Sequence, residues 1–241
     1  MTAPEPPPVE RALVVVAHPD DVDFGAGGTI AGWTGAGIEV SYCICTDGDA
    51  GGFDPSVPRD QIGGIRQLEQ RAAAKELGVQ DVVFLGYPDG RLLPTVELRR
   101  DISRVIRQTR PQRLLIQSPE RNWARIYASH PDHLAAGEAA ISAVYPDARN
   151  PYAHLELAAE GHEAWAVPEV WVMATGDRAD RFVDVTDTYE RKLAALRAHE
   201  SQTAHMDDLD ERLRGWLGLN AKAAGLDSGR LVESFMVHDT R

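Results

Sequence analysis

The sequence predicts a single α/β domain over residues 11–241, a mostly parallel sheet with helices on both faces. Three observations carry this. Ala12-Leu13-Val14-Val15-Val16-Ala17 is a continuous apolar, β-branched run, the pattern of a strand buried on both faces. Similar runs recur at Glu39 to Cys45, Val82 to Leu85, Arg113 to Ile116 and Glu169 to Met173. Helical patterns separate most of them, which is the alternation of βαβ units.

Taken in order, the elements begin after a flexible, Pro-rich lead-in over residues 1–10, where Pro4, Pro6, Pro7 and Pro8 cannot donate ladder hydrogen bonds. The first strand runs into a segment from Val22 to Ile30 that should open a helix, its glycines at 25, 27 and 28 allowing close packing on the sheet. Ile65, Leu68, Ala72 and Leu77 recur at helical spacing before Gly78, a C-terminal stop. Val96, Leu98, Ile102, Val105 and Ile106 mark another helix, and Leu134 to Val144 reads as a further one. Asp187 to Ala198 carries an apolar stripe of Tyr189, Leu193 and Leu196. Pro146 to Ala166 lacks a clear period and is expected to be a surface loop or a cap near a site.

Composition narrows the partners. With 241 residues and 43% hydrophobic content the chain can bury one sizeable core, and no linker or repeat divides it. Lys and Arg number 25 against 37 Asp and Glu, a net charge of -12 that repels polyanions, so nucleic acid is not expected as a partner. No stretch is apolar enough to span a membrane, no polybasic segment suggests anionic lipid, and Met1-Thr2-Ala3-Pro4-Glu5 lacks the regions of a signal peptide. A cytoplasmic protein is expected, with no membrane partner, and a homo-oligomer is left open. Cys43 and Cys45 lie two apart on one strand and read as buried free thiols.

The chemistry sits at strand ends. The first strand closes in Ala17-His18-Pro19-Asp20-Asp21, and the carboxyl ends of strands are where an open α/β sheet binds ligands. Imidazole and carboxylate together suit a borderline-soft divalent metal, whose catalytic sites keep three protein ligands and an open position. A third ligand is offered by Ser129-His130-Pro131-Asp132-His133, after the Arg113 to Ile116 strand. One of its two imidazoles can bind metal while the other handles a proton. A single His-Pro-Asp tripeptide is more often a turn. Two of them, each after a strand and each followed by another ligand type, are the stronger signal. The first strand lacks the Gly-x-Gly-x-x-Gly spacing of a dinucleotide fingerprint.

Ala17-His18-Pro19-Asp20-Asp21 and His130-Pro131-Asp132-His133 resemble the two signature motifs of the LmbE-like, or PIG-L, deacetylases, which act on N-acetylglucosaminyl-phosphatidylinositol and on mycothiol and bacillithiol precursors. The resemblance extends through Thr46 to Gly52, Arg66 with Glu69, Leu77-Gly78-Val79, Tyr87-Pro88-Asp89-Gly90, and Lys192 to Leu196 with His199 to Gln202; Val232-Glu233-Ser234-Phe235 is similar to a common family ending. It implies the Rossmann-like LmbE deacetylase fold and removal of an acyl group, acetyl foremost, from an N-acylated amino-sugar-like small molecule. It further implies His18, Asp21 and His133 as ligands of Zn2+ (or Fe2+), Asp20 as general base, and His130 as general acid or oxyanion partner. Asp132 becomes the carboxylate orienting His130, while Arg66 and Asp89 fall in the sugar-binding part of the pocket. Val22 stands where many members carry an acidic residue, and Ala128 where the mycothiol-precursor branch carries Tyr.

Rival readings have their own signatures. A hydrolytic base and acid are not required for sugar binding alone, so Asp20 and His130 weigh against a non-catalytic sugar-binding module. Two His and one carboxylate also make the facial triad of non-haem iron oxygenases, which are usually built on a jelly roll rather than on βαβ units. A thiol-conjugate amidase of the same family is a closer rival. His199 resembles a family motif but reads equally as a helix-end His, and Trp165, Trp171 and Trp216 read as packing or as cleft lining.

Overall fold

The computed structural model describes residues 8–123, 125–174 and 178–241. The proline-rich start through residue 7 lies outside these. The apolar run becomes β1 (Arg11–Val16), followed by α1 (Asp21–Gly35), β2 (Glu39–Thr46), α2 (Arg59–Glu76), β3 (Asp81–Tyr87), α3 (Val96–Thr109) and β4 (Arg113–Ile116). A short 3-10 turn (Ile126–Ser129) leads into α4 (Pro131–Ser142), a wide turn (Ala143–Ala148), α5 (Leu155–Ala159) and β5 (Glu169–Met173). The chain closes with β6 (Arg181–Asp184), α6 (Tyr189–Ala198), α7 (Glu200–Thr203), α8 (Leu209–Ala223) and β7 (Val232–Asp239).

All these strands form one sheet of order β3-β2-β1-β4-β5-β7-β6. From β3 to β5 every pairing is parallel, whereas β7 runs antiparallel to both β5 and β6. Alternate residues of β1 serve opposite cores. Leu13 and Val15 pack with Leu98, Ile102, Ala136 and Ala140 of α3 and α4, while Val14 and Val16 pack with Ile30 of α1 and Ala73 of α2. The two faces are covered by helices, which is why the strands need no polar side. Cys43 and Cys45 are buried free thiols on β2. Among the described residues no helix is long and apolar enough to cross a membrane.

Strand order reverses between β1 and β4: one half winds outward to β3, the other to β5. Such a switch point leaves a crevice at the carboxyl edge, because the connections on its two sides depart in opposite directions. Two close approaches seat α1 and α4. A Cβ on Gly28 of α1 would lie 2.6 Å from Val185 Cβ, and one on Gly137 of α4 would lie 2.4 Å from the backbone oxygen of Gln117, after β4.

Residues 146–166 are a surface buttress. The Arg107 guanidinium donates to the carbonyls of Ala148, Asp147, Asn150 and Ala153, and Arg99 forms a fork on Asp147. No described residue of this segment lines the cleft beside the site, so it is a loop fastened to α3 rather than a cap.

Candidate active site

β1 delivers His18 and β4 leads to His130 and His133 on opposite sides of the switch point, so the crevice receives three imidazoles whose ring centroids are 5.0, 5.2 and 5.3 Å apart. Asp21 joins two of them. As the first residue of α1 it accepts from the His18 backbone N–H at 2.7 Å, which turns its carboxylate into the crevice. Its Oδ2 lies 3.3 Å from His18 Nδ1 and its Oδ1 lies 3.0 Å from His133 Nε2. Burial would raise the Asp21 pKa, but His133 and His18 hold it well below the usual carboxylate range.

The far nitrogen of His18 is held as well. Nε2 lies 3.0 Å from Asp89 Oδ1 and 3.4 Å from Asp132 Oδ2. Asp132 also accepts from the N–H groups of Gly90 and Leu92, at 2.7 and 3.2 Å, and Asp89 from that of Ala50, at 3.1 Å. Burial opposes the charged imidazole, yet Asp21 and these two carboxylates push the His18 pKa up to about 12. Asp132 therefore orients His18, whereas the sequence pointed it at His130. The reason is that α4 begins at Pro131: its first turn swings the Asp132 side chain back under the loop at 90–92, while only its backbone N–H reaches His130 Nδ1, at 3.2 Å. His130 thus caps α4, which places a ring proton on Nε2 when the imidazole is neutral. Burial, then His18 and His133, lower its pKa.

Asp20 occupies left-handed backbone, φ 85° and ψ -26°, a conformation costly for a residue with a side chain. Two contacts enforce it. The Asp20 N–H donates to Gln70 Oε1 at 2.8 Å, and Arg66 Nη2 donates both to the Pro19 carbonyl at 2.6 Å and to Asp20 Oδ2 at 3.0 Å. Burial raises the Asp20 pKa against the pull of Arg66, and Asp21 adds to the rise, to about 6. Arg66 is only 4% exposed, with Nη1 donating to the Gly48 carbonyl at 3.1 Å. Its Nη1 and Nη2 and the Asp89 carboxylate face site residues and backbone, while the Arg66 Nε is buried without a partner. All eight predicted residues nevertheless meet at this one edge.

The buried polar partners behind the site were not assigned by the sequence reading. Asp23, 0% exposed, pairs with His199 Nε2 at 2.8 Å and accepts from Gln70 Nε2 at 2.8 Å, so a buried chain of polar contacts runs from His199 to the Asp20 backbone. Lys192 Nζ meets Glu233 Oε1 at 2.7 Å and the Asp23 and Phe24 carbonyls, and Glu233 accepts from the Gly28 and Thr29 N–H groups. Lys192, His199 and Glu233 do lie in the Lys192 to Leu196, His199 to Gln202 and Val232 to Phe235 segments of the family resemblance, which did not name their partners. Trp165 and Trp171 pack, with Trp165 Nε1 on the Pro111 carbonyl and Trp171 against Trp33; Trp216 lines a cleft that opens beside Asp21 and His133.

The donor set fits a divalent cation. A carboxylate stands between two imidazole nitrogens, and the far side of one imidazole is fixed by carboxylates that are themselves satisfied by backbone N–H groups, the arrangement that orients a metal-binding His. Among the described residues, the groups whose donor atoms all lie within 4.8 Å of one another are His18 with His130 and His133, and His18 with Asp89 and Asp132; Asp21 touches His18 and His133 pairwise.

Comparison with known proteins agrees with this architecture. Residues 13–144 match the family model described as PIG-L, GlcNAc-PI de-N-acetylase. The diacetylchitobiose deacetylase of Thermococcus kodakarensis is 37% identical over 194 residues, covering 80% of this chain and 70% of that one. A probable N-acetyl-alpha-D-glucosaminyl L-malate deacetylase of Bacillus cereus is 32% identical over 212 residues, 85% of this chain and 89% of its own. Among solved structures, N,N'-diacetylchitobiose deacetylase from Pyrococcus horikoshii superposes with a TM-score of 0.87 at 29% identity, over 96% of this chain and 84% of that one. With more than half of its length matched by the family model, and with relatives above 30% identity along most of theirs, the chain belongs to the PIG-L family of N-deacetylases, hydrolases that act on linear amides.

Proposed function

We propose that the protein is a zinc-dependent N-deacetylase that hydrolyses the acetamide of an N-acetylglucosamine-like amino-sugar conjugate, with His18 Nδ1, Asp21 and His133 Nε2 as the metal ligands. One observation carries this reading: Asp21 lies 3.3 and 3.0 Å from the two imidazole nitrogens, with a second carboxylate, Asp20, preceding it and a third imidazole, His130, close by. Relatives named for chitobiose and glucosaminyl-malate substrates support the amino-sugar part. The set of His18, Asp89 and Asp132 is less suited, because both carboxylates sit on the nitrogen of His18 opposite Asp21 and bring in no second imidazole, whereas Asp21 also reaches His133. Iron would accept the same three ligands.

A bound divalent cation supplies carbonyl polarisation and lowers the pKa of a water toward ~7. The remaining work falls to the chain. Asp20 accepts the proton of the attacking water as oxygen bonds to the amide carbon. His130, whose Nδ1 is engaged by α4, donates Nε2–H toward the oxygen that gains negative charge. When the carbon–nitrogen bond breaks, Asp20 hands its proton to the departing nitrogen, so water and amide become carboxylic acid and amine. Arg66 and Gln70 keep Asp20 in its left-handed turn, and Asp89 with Asp132 keep His18 in one tautomer and orientation.

The test is acetate and free-amine release from a panel of N-acetylglucosaminides before and after chelation, with readdition of Zn2+ or Fe2+. Loss on chelation and recovery with zinc is expected. Undiminished release from a protein shown to be metal-free sinks the proposal, and metal retained fully in Asp21→Ala but lost in Asp89→Ala replaces the ligand set.

A further inference from the structure

The cleft beside Asp21 and His133 has a volume of about 210 Å³ and an apolar wall of Phe24, Met173, Trp216 and Met236. Most of its polar groups are already engaged. Gln117 Oε1 accepts from the Ala17 N–H at 2.9 Å, Asn220 Nδ2 donates to the Val232 carbonyl at 3.0 Å, and Ser234 Oγ donates to the Ala174 carbonyl at 2.7 Å. Arg178 pairs with Glu120 at 3.0 Å, and Glu233 is held by Lys192.

Two donors among the described residues lining this cleft stand apart. Trp216 Nε1–H is buried without an acceptor, and the Arg125 guanidinium lies over the Trp216 ring, 5.0 Å from its centroid, with no carboxylate partner. In a chain with 37 acidic side chains against 25 basic ones, carboxylates are abundant, and nearby Arg178 has found one. Stacking on the indole limits the freedom of the Arg125 side chain, so a planar fork of donors is held ready at the cleft. A guanidinium fork binds carboxylate and phosphate oxygens in pairs, and a buried N–H without an acceptor is satisfied only when a ligand brings one.

We infer that this cleft takes an anionic substituent, a carboxylate or a phosphate, carried on the part of the substrate remote from the amide, with Arg125 as its specificity-determining partner and Trp216 as platform and second donor. The inference rests on the amide-hydrolase reading of the adjacent site. It separates this chain's substrate class from neutral oligosaccharides.

The experiment compares methyl N-acetylglucosaminide, its carboxymethyl counterpart and N-acetylglucosamine 1-phosphate on wild type, Arg125→Gln and Trp216→Phe. Amine release and calorimetric Kd are both measured on the metal-loaded protein, after thermal melts establish that the variants fold. Wild type is expected to favour at least one anionic glycoside over the methyl glycoside by about tenfold or more in kcat/KM and in Kd, the size of one charge-assisted pair. Arg125→Gln should bring that ratio to within about threefold of one, through KM rather than kcat. The stronger of the two anionic arms identifies the anion as carboxylate or phosphate. No anionic preference in wild type, or a preference that survives Arg125→Gln, overturns the inference. If no glycoside releases amine while an Arg125-dependent preference persists in Kd, the anion site stands and the hydrolase reading fails.

Discussion

At the scale of single residues, the site depends on side chains whose neighbours decide what they can do. Asp20 and Asp21 are adjacent carboxylates with different surroundings: Asp21 is clasped by two imidazoles, whereas Asp20 faces one guanidinium. Replacing Asp20 by Asn keeps its size and its hydrogen bonding while removing the ability to take a proton. We expect Asp20→Asn to retain metal and to lose turnover on the order of a hundredfold to ten-thousandfold, which paired metal analysis and acetate release will check. Near wild-type turnover would dismiss Asp20 as the base, and Asp23 could not replace it, being fully buried under Gln70 and His199. Arg66 makes a second case. Because its guanidinium holds Pro19, Gly48 and Asp20, Arg66→Ala should lower kcat by about tenfold or more with little change in KM, while discrimination between normal and deoxygenated sugars persists. A variant raising KM alone and losing that discrimination would restore the sugar-binding role that the motif suggested.

At the scale of elements, α4 follows its cap imidazole His130 and carries His133, so its seat against the β4 loop sets where both imidazoles, including the proposed ligand His133, stand. That seat is tight. A Cβ at Gly137 would come within 2.4 Å of the Gln117 backbone oxygen, which cannot rotate away as a side chain would. Gly137→Ala is expected to cost about 1–3 kcal/mol of stability through overpacking and to weaken metal retention by displacing His133. Denaturant melts and metal titration of this variant check both effects; an unshifted melt would mean that the loop yields freely. The connection at 146–166 shows the opposite dependence, since Arg107 ties it to α3 at a distance from the cleft.

Across the whole molecule, the C-terminal third packs against α1 through one buried ion pair. Lys192 on α6 and Glu233 on β7 meet with 0% and 1% side-chain exposure, joining two distant parts of the chain under the start of α1. A buried pair is costly to assemble but more costly to halve. Lys192→Met should destabilise the fold by about 3–5 kcal/mol, because it leaves the Glu233 carboxylate uncompensated, and Glu233→Gln in the same background should recover part of the loss. Additive losses in that double mutant, read from chemical denaturation, would show that the two groups act independently.

How much of this was legible along the chain follows from which interactions are local. Apolar runs and helical periodicity report burial of neighbouring residues, so β1 to β5 and most of the helices between them could be read directly, and the strand-end motifs named the residues that gather at the switch point. Those motifs carried donor types too: imidazoles and adjacent carboxylates at one edge. Partner choice was different in kind. Asp132 contacts His18 across 114 residues of sequence, and Asp23 meets His199 across 176, separations that no motif spacing encodes. The antiparallel β7, inserted between β5 and β6, likewise follows from sheet packing rather than from periodicity. The sequence by itself determined the fold class and the chemistry of the donors, because both are written in residue types at short range; tertiary structure alone decided which carboxylate lies against which imidazole, and that the Arg125 guanidinium lies over an indole rather than on a carboxylate, because burial and hydrogen bonding between distant segments assign those partners.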